Sequence, residues 1–238
     1  MRPEQPLNGN NGPIRQTPAH DSVNSDLLRL VPAGVRHLVD VGCAHGAMAR
    51  AVRAISPATT VTGIDIDPDY VEVARAHCNV AIAADIESMS ATEFKRLADA
   101  DCWVFGDCLE HLRDPWGLLR RVRQAIPADG CVLVCLPNAQ HWSVQWRLAT
   151  GNFRYEDSGL MDRTHIRWFT RTTMLEMFAL TGWQVNVGLG RQVDSVQQQQ
   201  ALLAVRAYAQ AVGFDPALAE QDARPIQYLF RLIPQTIH

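Results

Sequence analysis

Asp107, Glu110 and His111 stand at i, i+3 and i+4, and His165 lies in a separate polar run further on. An imidazole titrates near neutral pH and is a natural proton acceptor. His111 is the first choice for a general base and His165 the second, with Glu110 placed to orient a histidine. If the 107–111 segment is helical, its three groups share one face. With His165 they then make two carboxylates and two imidazoles, a plausible donor set for a divalent metal. The plain alternative for either histidine is a helix cap or a bond to a backbone carbonyl.

A second constellation is built on glycine. In DVGCAHGAM (40–48), Gly42 and Gly46 let the backbone turn tightly and approach a ligand, and the turn feeds a helix N-terminus. A dinucleotide fingerprint needs small residues at its first, third and sixth positions. These would be Gly42, Ala44 and Ala47, of which two are not glycine. Asp65 follows in GIDIDP, 19 residues after Gly46. A carboxylate there offers acceptors to two adjacent hydroxyls. Asp67 reads as a helix cap. AADIES contributes Asp85 and Ile86, with a loop cap as the alternative role for Asp85.

The elements that must position these groups alternate in type. Apolar strands are predicted at 35–42, 60–67, 80–85, 101–107 and 130–138. Helices are predicted at 21–30, at 46–55, from Asp67–Pro68, near 91–98 and from Asp114–Pro115. An irregular stretch (138–170) precedes a helix at 171–181, a strand at 183–189, a helical segment at 195–212 and a strand at 227–233. Continuous apolar strands separated by helices imply a parallel sheet covered on both faces, with ligands beyond the carboxyl ends of its strands. The glycine turn, Asp65, Asp85 and the Asp107–His111 run lie at such ends, and His165, in the irregular stretch, is expected to face the same site mouth. Residues 1–20, rich in Pro, Asn and Gly, read as disordered or as an arm that orders over a ligand. Residues 21–238 read as one domain, with 138–170 and 195–226 as acceptor-side or lid insertions.

A net charge of -3 over 238 residues gives no global field for polyanions, so nucleic acid is an unlikely partner. The six cysteines form no CxxC pair and read as buried thiols in a reducing compartment. No run approaches the roughly 18 apolar residues of a membrane span, and a cytoplasmic location is expected. Between 138 and 171, arginines 147, 154, 163, 167 and 171 mix with Trp142, Trp146, Phe153, Tyr155, Trp168 and Phe169. Aromatic faces suit sugars or other rings, which makes this segment the expected acceptor pocket.

The glycine turn resembles motif I of class I S-adenosylmethionine-dependent methyltransferases, D-x-G-x-G-x-G. Asp40, Gly42 and Gly46 match, and Ala44 replaces the middle glycine. FGDCLEHLRDP resembles the G-D-x-L-E-H-L-x-D-P motif of a bacterial subgroup that includes ubiquinone-type and cell-surface-glycan methyltransferases. LPNAQHW and GLMDRTHIRWFTRTTMLEMFALTGW resemble that group's second signature. The likeness spans roughly residues 24–189. It implies a doubly wound, seven-stranded Rossmann-like α/β sheet of order 3-2-1-4-5-7-6, its last strand antiparallel, and S-adenosylmethionine as the methyl donor. It also implies Asp65 on the ribose hydroxyls and Ile66 and Ile86 beside the adenine. Asp85 would meet the adenine amino group, the turn with Cys43 and Ala44 would seat the amino-acid tail, and Asp107 would stand near that tail's amino group. The acceptor would be a sugar, glycan or other small-molecule hydroxyl. Asp107, Glu110, His111 and His165 also resemble the E-x-x-E-H plus D-H set of metal-dependent RNA 3′-end 2′-O-methyltransferases, with aspartate where that family has glutamate. The shorter carboxylate and the missing basic field disfavour the metal. Two other classes stay open: a nicotinamide-dependent oxidoreductase, against the glycine spacing, and a non-catalytic methyltransferase-like module, which Ala44 and His45 keep in play. A homodimer is compatible with the sequence.

Overall fold

In the computed structural model, which describes residues 21–236, seven strands form one sheet of order β3-β2-β1-β4-β5-β7-β6. They are β1 (His37–Val41), β2 (Thr60–Asp65), β3 (Val80–Ala83), β4 (Cys102–Gly106), β5 (Cys131–Pro137), β6 (Trp183–Arg191) and β7 (Gln227–Pro234). The first five run parallel, and β7 lies antiparallel between β5 and β6. The arm expected over 1–20 lies outside the described residues. Among the described residues, no helix is long and apolar enough to cross a membrane.

Side chains of a strand alternate between faces, so an apolar strand feeds two cores. Val39, Trp103, Phe105, Val132 and Val134 pack on one side of the sheet with α5 (Pro115–Ala125) and α7 (Arg171–Leu180). Leu38, Cys102, Val104, Cys131 and Leu133 pack on the other with α1 (Ser25–Arg29), α2 (Ala47–Ile55) and α3 (Pro68–Ala74). All six cysteines are buried and free. α4 (Ala91–Lys95) is a short helix closed by a Ser90–Glu93 capping box.

Two expectations need correction. The 138–170 stretch is not wholly irregular, because α6 (Trp142–Ala149) lies within it. Its cap is His141, whose ring nitrogen accepts from the Ser143 amide, and a histidine cap gives no recognisable start signal. The 195–226 segment holds two helices, α8 (Gln198–Ala211) and α9 (Pro216–Ala223). The second begins with Asp215, which accepts from the Ala217 and Leu218 amides ahead of a proline at the first position, the same Asp–Pro start as α3 and α5. Trp142, Leu202, Val205, Ala209, Ala219 and Ala223 join α6, α8 and α9 in a small core of their own.

Candidate active site

The carboxyl ends of β1, β2, β3 and β4 open into a cleft of about 660 Å³, within the range of small-molecule and cofactor sites. Gly42 and Gly46 both adopt positive φ, at 74° and 79°. Ala44, between them, is also left-handed, at 45°, so the turn keeps its shape without the middle glycine. Holding an L-residue there costs roughly 1–2 kcal/mol. The Ala44 amide recovers part of that by donating to Asp65 Oδ2 at 2.8 Å. Asp65 Oδ1 accepts from the Asp67 amide at 3.0 Å. A carboxylate has about four acceptor positions, so two remain after these bonds. Asp67 caps α3, as expected. His45 packs its ring edge-on to Tyr70, which lines the cleft.

Ile66 is 59% exposed and lines the cleft, an unusual position for a large aliphatic side chain. Ile86 lines it from within the core. Asp85 lines it too, but its oxygens are occupied by the Glu87 amide, the Ser88 hydroxyl and Arg113. Burial opposes ionisation of Asp85, but the hydroxyl of Ser88, the neighbouring amides and Arg113 outweigh it and hold the carboxyl below its ordinary value. Arg113 also binds Glu87, and Glu87 accepts from the Asp114 amide at 2.7 Å. Asp40 and Cys43 are buried in the wall, and the Cys43 thiol is pushed up by Cys78 and by burial. Burial, reinforced by the charge of Asp65, raises the Asp40 carboxyl to about 7.

Asp107 follows β4 in a left-handed conformation, φ 53°. Its side chain is open to the cleft yet walled in by protein. That enclosure raises its carboxyl, against the pull of Cys135, Arg191 and Gln227. Asp107 does not share a helical face with the next residues, because only Leu109–His111 form a 3-10 turn. The Glu110 carbonyl accepts from the Ile166 and Arg167 amides, each at 3.0 Å, and this stitches the LEH turn to the THIRW segment. Glu110, His111 and His165 therefore converge, with one potential ligand atom of each within 4.8 Å of the others, and Asp107 stays outside the group.

The Glu110 side chain is fully buried, and neither carboxylate oxygen has a hydrogen-bond partner. Burial drives its carboxyl well above the ordinary value, and nearby Asp107 and Asp162 add to the rise. His165 Nε2 faces Glu110 Oε1 at 3.8 Å, beyond a hydrogen bond. His111 Nδ1 lies 3.1 Å from the Thr164 carbonyl. The Thr164 hydroxyl, also 3.1 Å from Nδ1, donates to Asp162 Oδ1 at 2.6 Å, and a carbonyl only accepts, so Nδ1 carries the hydrogen and Nε2 keeps a free lone pair. Burial lowers both histidines below their ordinary value, and His111 lowers His165 further, which favours the neutral rings. The two rings sit 4.8 Å apart, edge to face. Of the four groups at first suspected as metal ligands, the structure brings three together.

Residues 17–186, more than half the chain, match the family profile described as "Methyltransferase domain". The chain belongs to the methyltransferase-domain family. No curated protein matches it by sequence. Among solved structures, a chain of the Haloferax volcanii complex containing the Trm112 methyltransferase activator is 16% identical. That match has a TM-score of 0.60 and covers 90% of this chain and 89% of that one. The plantazolicin methyltransferase BpumL, solved with SAH, is 15% identical with a TM-score of 0.55, covering 89% of this chain and 80% of its own. The mitomycin 7-O-methyltransferase MmcR is 15% identical with a TM-score of 0.54, covering 87% of this chain and 52% of its own. At these identities the likeness is one of fold, and the strand order of this methyltransferase is the expected one.

Arg113, Gln227 and Arg191 escaped the sequence reading. Each acts through a contact distant in sequence, and no local pattern marks such a contact.

Proposed function

We propose that this chain transfers a methyl group from S-adenosylmethionine to a hydroxyl of a small ring-bearing acceptor, such as a sugar. The observation that carries the reading is a neutral His111, with Nδ1 tied to Thr164, lining the same cleft as Asp65 and the glycine turn. BpumL, with a similar fold, was solved with SAH, the demethylated form of this donor. The two free acceptor positions of Asp65 suit the ribose hydroxyls. Ile66 and Ile86 offer apolar surface to the adenine, and the amino group of the amino-acid tail falls to Asp40 and Asp107.

The acceptor oxygen attacks the methyl carbon in line. The C–S bond breaks with its electron pair left on sulfur, giving S-adenosylhomocysteine, and the hydroxyl proton passes to His111 Nε2. Positioning supplies most of the rate, and the base contributes about 10²–10⁴-fold. Next to His165, the Trp168 ring packs with Phe153, which in turn meets Tyr155. Tyr155 is more than half exposed, and such faces suit a sugar or another ring. We place 138–170 and the α8–α9 segment on this acceptor side.

One observation favours a second reading. The orphaned Glu110 carboxylate, with His111 and His165, fits a divalent cation, which would give the buried oxygens the partner they lack. Such an ion would lower the pKa of acceptor hydroxyls. Transfer of labelled methyl from S-adenosylmethionine into sugars, phenols and amines, with and without EDTA, tests both readings. The expected result is label on oxygen, unchanged by EDTA. Activity lost to EDTA and restored by Mg²⁺ or Mn²⁺ would establish the second reading, and label on amines alone would contradict hydroxyl transfer.

A further inference from the structure

Asp107 is held from behind by residues outside every signature motif. Its Oδ1 accepts from Nε2 of Gln227, the first residue of β7, and from the Cys135 thiol at 3.4 Å. Gln227 Oε1 accepts in turn from Arg191, the last residue of β6, at 3.2 Å. Arg191 reaches on to Asp26 of α1 at 3.6 Å. Both donors to Asp107 sit on Oδ1, and Oδ2 makes no hydrogen bond among the described residues. The left-handed backbone at Asp107 is a strain that surrounding structure must hold in place. One oxygen is thus pinned, and the other is left to a ligand in the cleft.

We propose that Gln227 and Arg191 are positioning residues for the methyl donor, fixing Asp107 so that Oδ2 receives the ammonium group of the donor's amino-acid tail. This assignment rests on the donor reading above. Gln227 sets where the carboxylate points, and the positive charge of Arg191 favours its ionised form. The other titratable groups that interact with Asp107 are the Cys135 thiol on β5, the neighbouring Cys108 thiol and, at longer range, the Glu110 carboxyl, none of which is a cation. Without Arg191, Asp107 would hold its proton to higher pH and lose its hold on an ammonium group in mildly acidic solution. Signature motifs did not reveal this pair because both residues lie on the antiparallel edge of the sheet, past the segment the motifs cover.

The test titrates the full chain with S-adenosylhomocysteine and with 5′-methylthioadenosine, which lacks the amino-acid tail, between pH 6 and 8. Gln227→Ala is expected to weaken S-adenosylhomocysteine about tenfold, the worth of one charge-assisted hydrogen bond, and to leave methylthioadenosine within about twofold. Arg191→Met should lose S-adenosylhomocysteine affinity, and lose more at the acidic end of this range than at its basic end. Arg191→Lys keeps the charge and should follow the parent protein. Arg191 is only partly buried on an edge strand, so its variants carry the test even if Gln227→Ala folds poorly. Equal loss of both ligands, or no loss of either, would overturn the assignment while leaving the donor reading intact. A parent protein that binds neither ligand would overturn both.

Discussion

Asp65→Ala is expected to weaken S-adenosylhomocysteine binding by about 10²-fold or more, as read by calorimetry. Two hydroxyl bonds to a charged acceptor are worth about 1.5–3 kcal/mol each, and each 1.4 kcal/mol is tenfold. The loss extends past the ribose. Asp65 also anchors the Ala44 amide, and without that bond the strained left-handed alanine loses one of its supports. The glycine turn should then loosen as the ribose is released. Asp65→Asn keeps one carbonyl oxygen and should lose less. Thermal unfolding separates the two contributions: the alanine variant is expected to remain folded with a modestly lower Tm. Affinity left within twofold of the parent protein would contradict the ribose role.

His111→Ala is expected to lower kcat by about 10²–10⁴ and to leave donor affinity within a few fold, since the imidazole acts on the acceptor. The sign of the pH dependence follows from its environment. Burial lowers the histidine below its ordinary value, so the base form persists into mildly acidic solution, and kcat should fall only when the ring protonates there. Thr164 selects the tautomer, and a base working through Nε2 depends on that bond. His165→Ala should cost less, because His111 lines the cleft and His165 does not. Equal falls in kcat and donor affinity would instead make His111 a structural support of the cleft.

The sheet was legible because its strands carry their own signals: apolar runs ending in Gly42 or Asp65, and helices opened by Asp67–Pro68 and Asp114–Pro115. The α9 start at Asp215–Pro216 uses the same chemistry and was open to the same reading. By contrast, α6 hides behind a histidine cap. The site was legible where a single strand end supplies the groups, as with the glycines after β1 and Asp65 closing β2. Grouping Asp107 with Glu110 and His111 assumed a regular helix, and the left-handed residue after β4 turns Asp107 away from them. Asp85 was read as an adenine contact or a loop cap, and nothing in the local pattern showed that a guanidinium 28 positions away shares its carboxylate. Such pairings depend on which loops the sheet order brings together, and the spacing of residues cannot carry that information.

An adenosyl donor occupies the cleft if methyl transfer is the reaction, and calorimetric titration of the parent protein with S-adenosylhomocysteine and, separately, NAD at pH 7 decides it. Run in two buffers of different ionisation enthalpy, it also counts protons. Asp40 titrates at about 7 in the free protein, so an ammonium group beside it favours the charged form and expels a fraction of a proton. The expected result is binding of S-adenosylhomocysteine with proton release, an affinity that rises from pH 6 to 8, and no heat from NAD. Saturable binding of NAD with none of S-adenosylhomocysteine would contradict it.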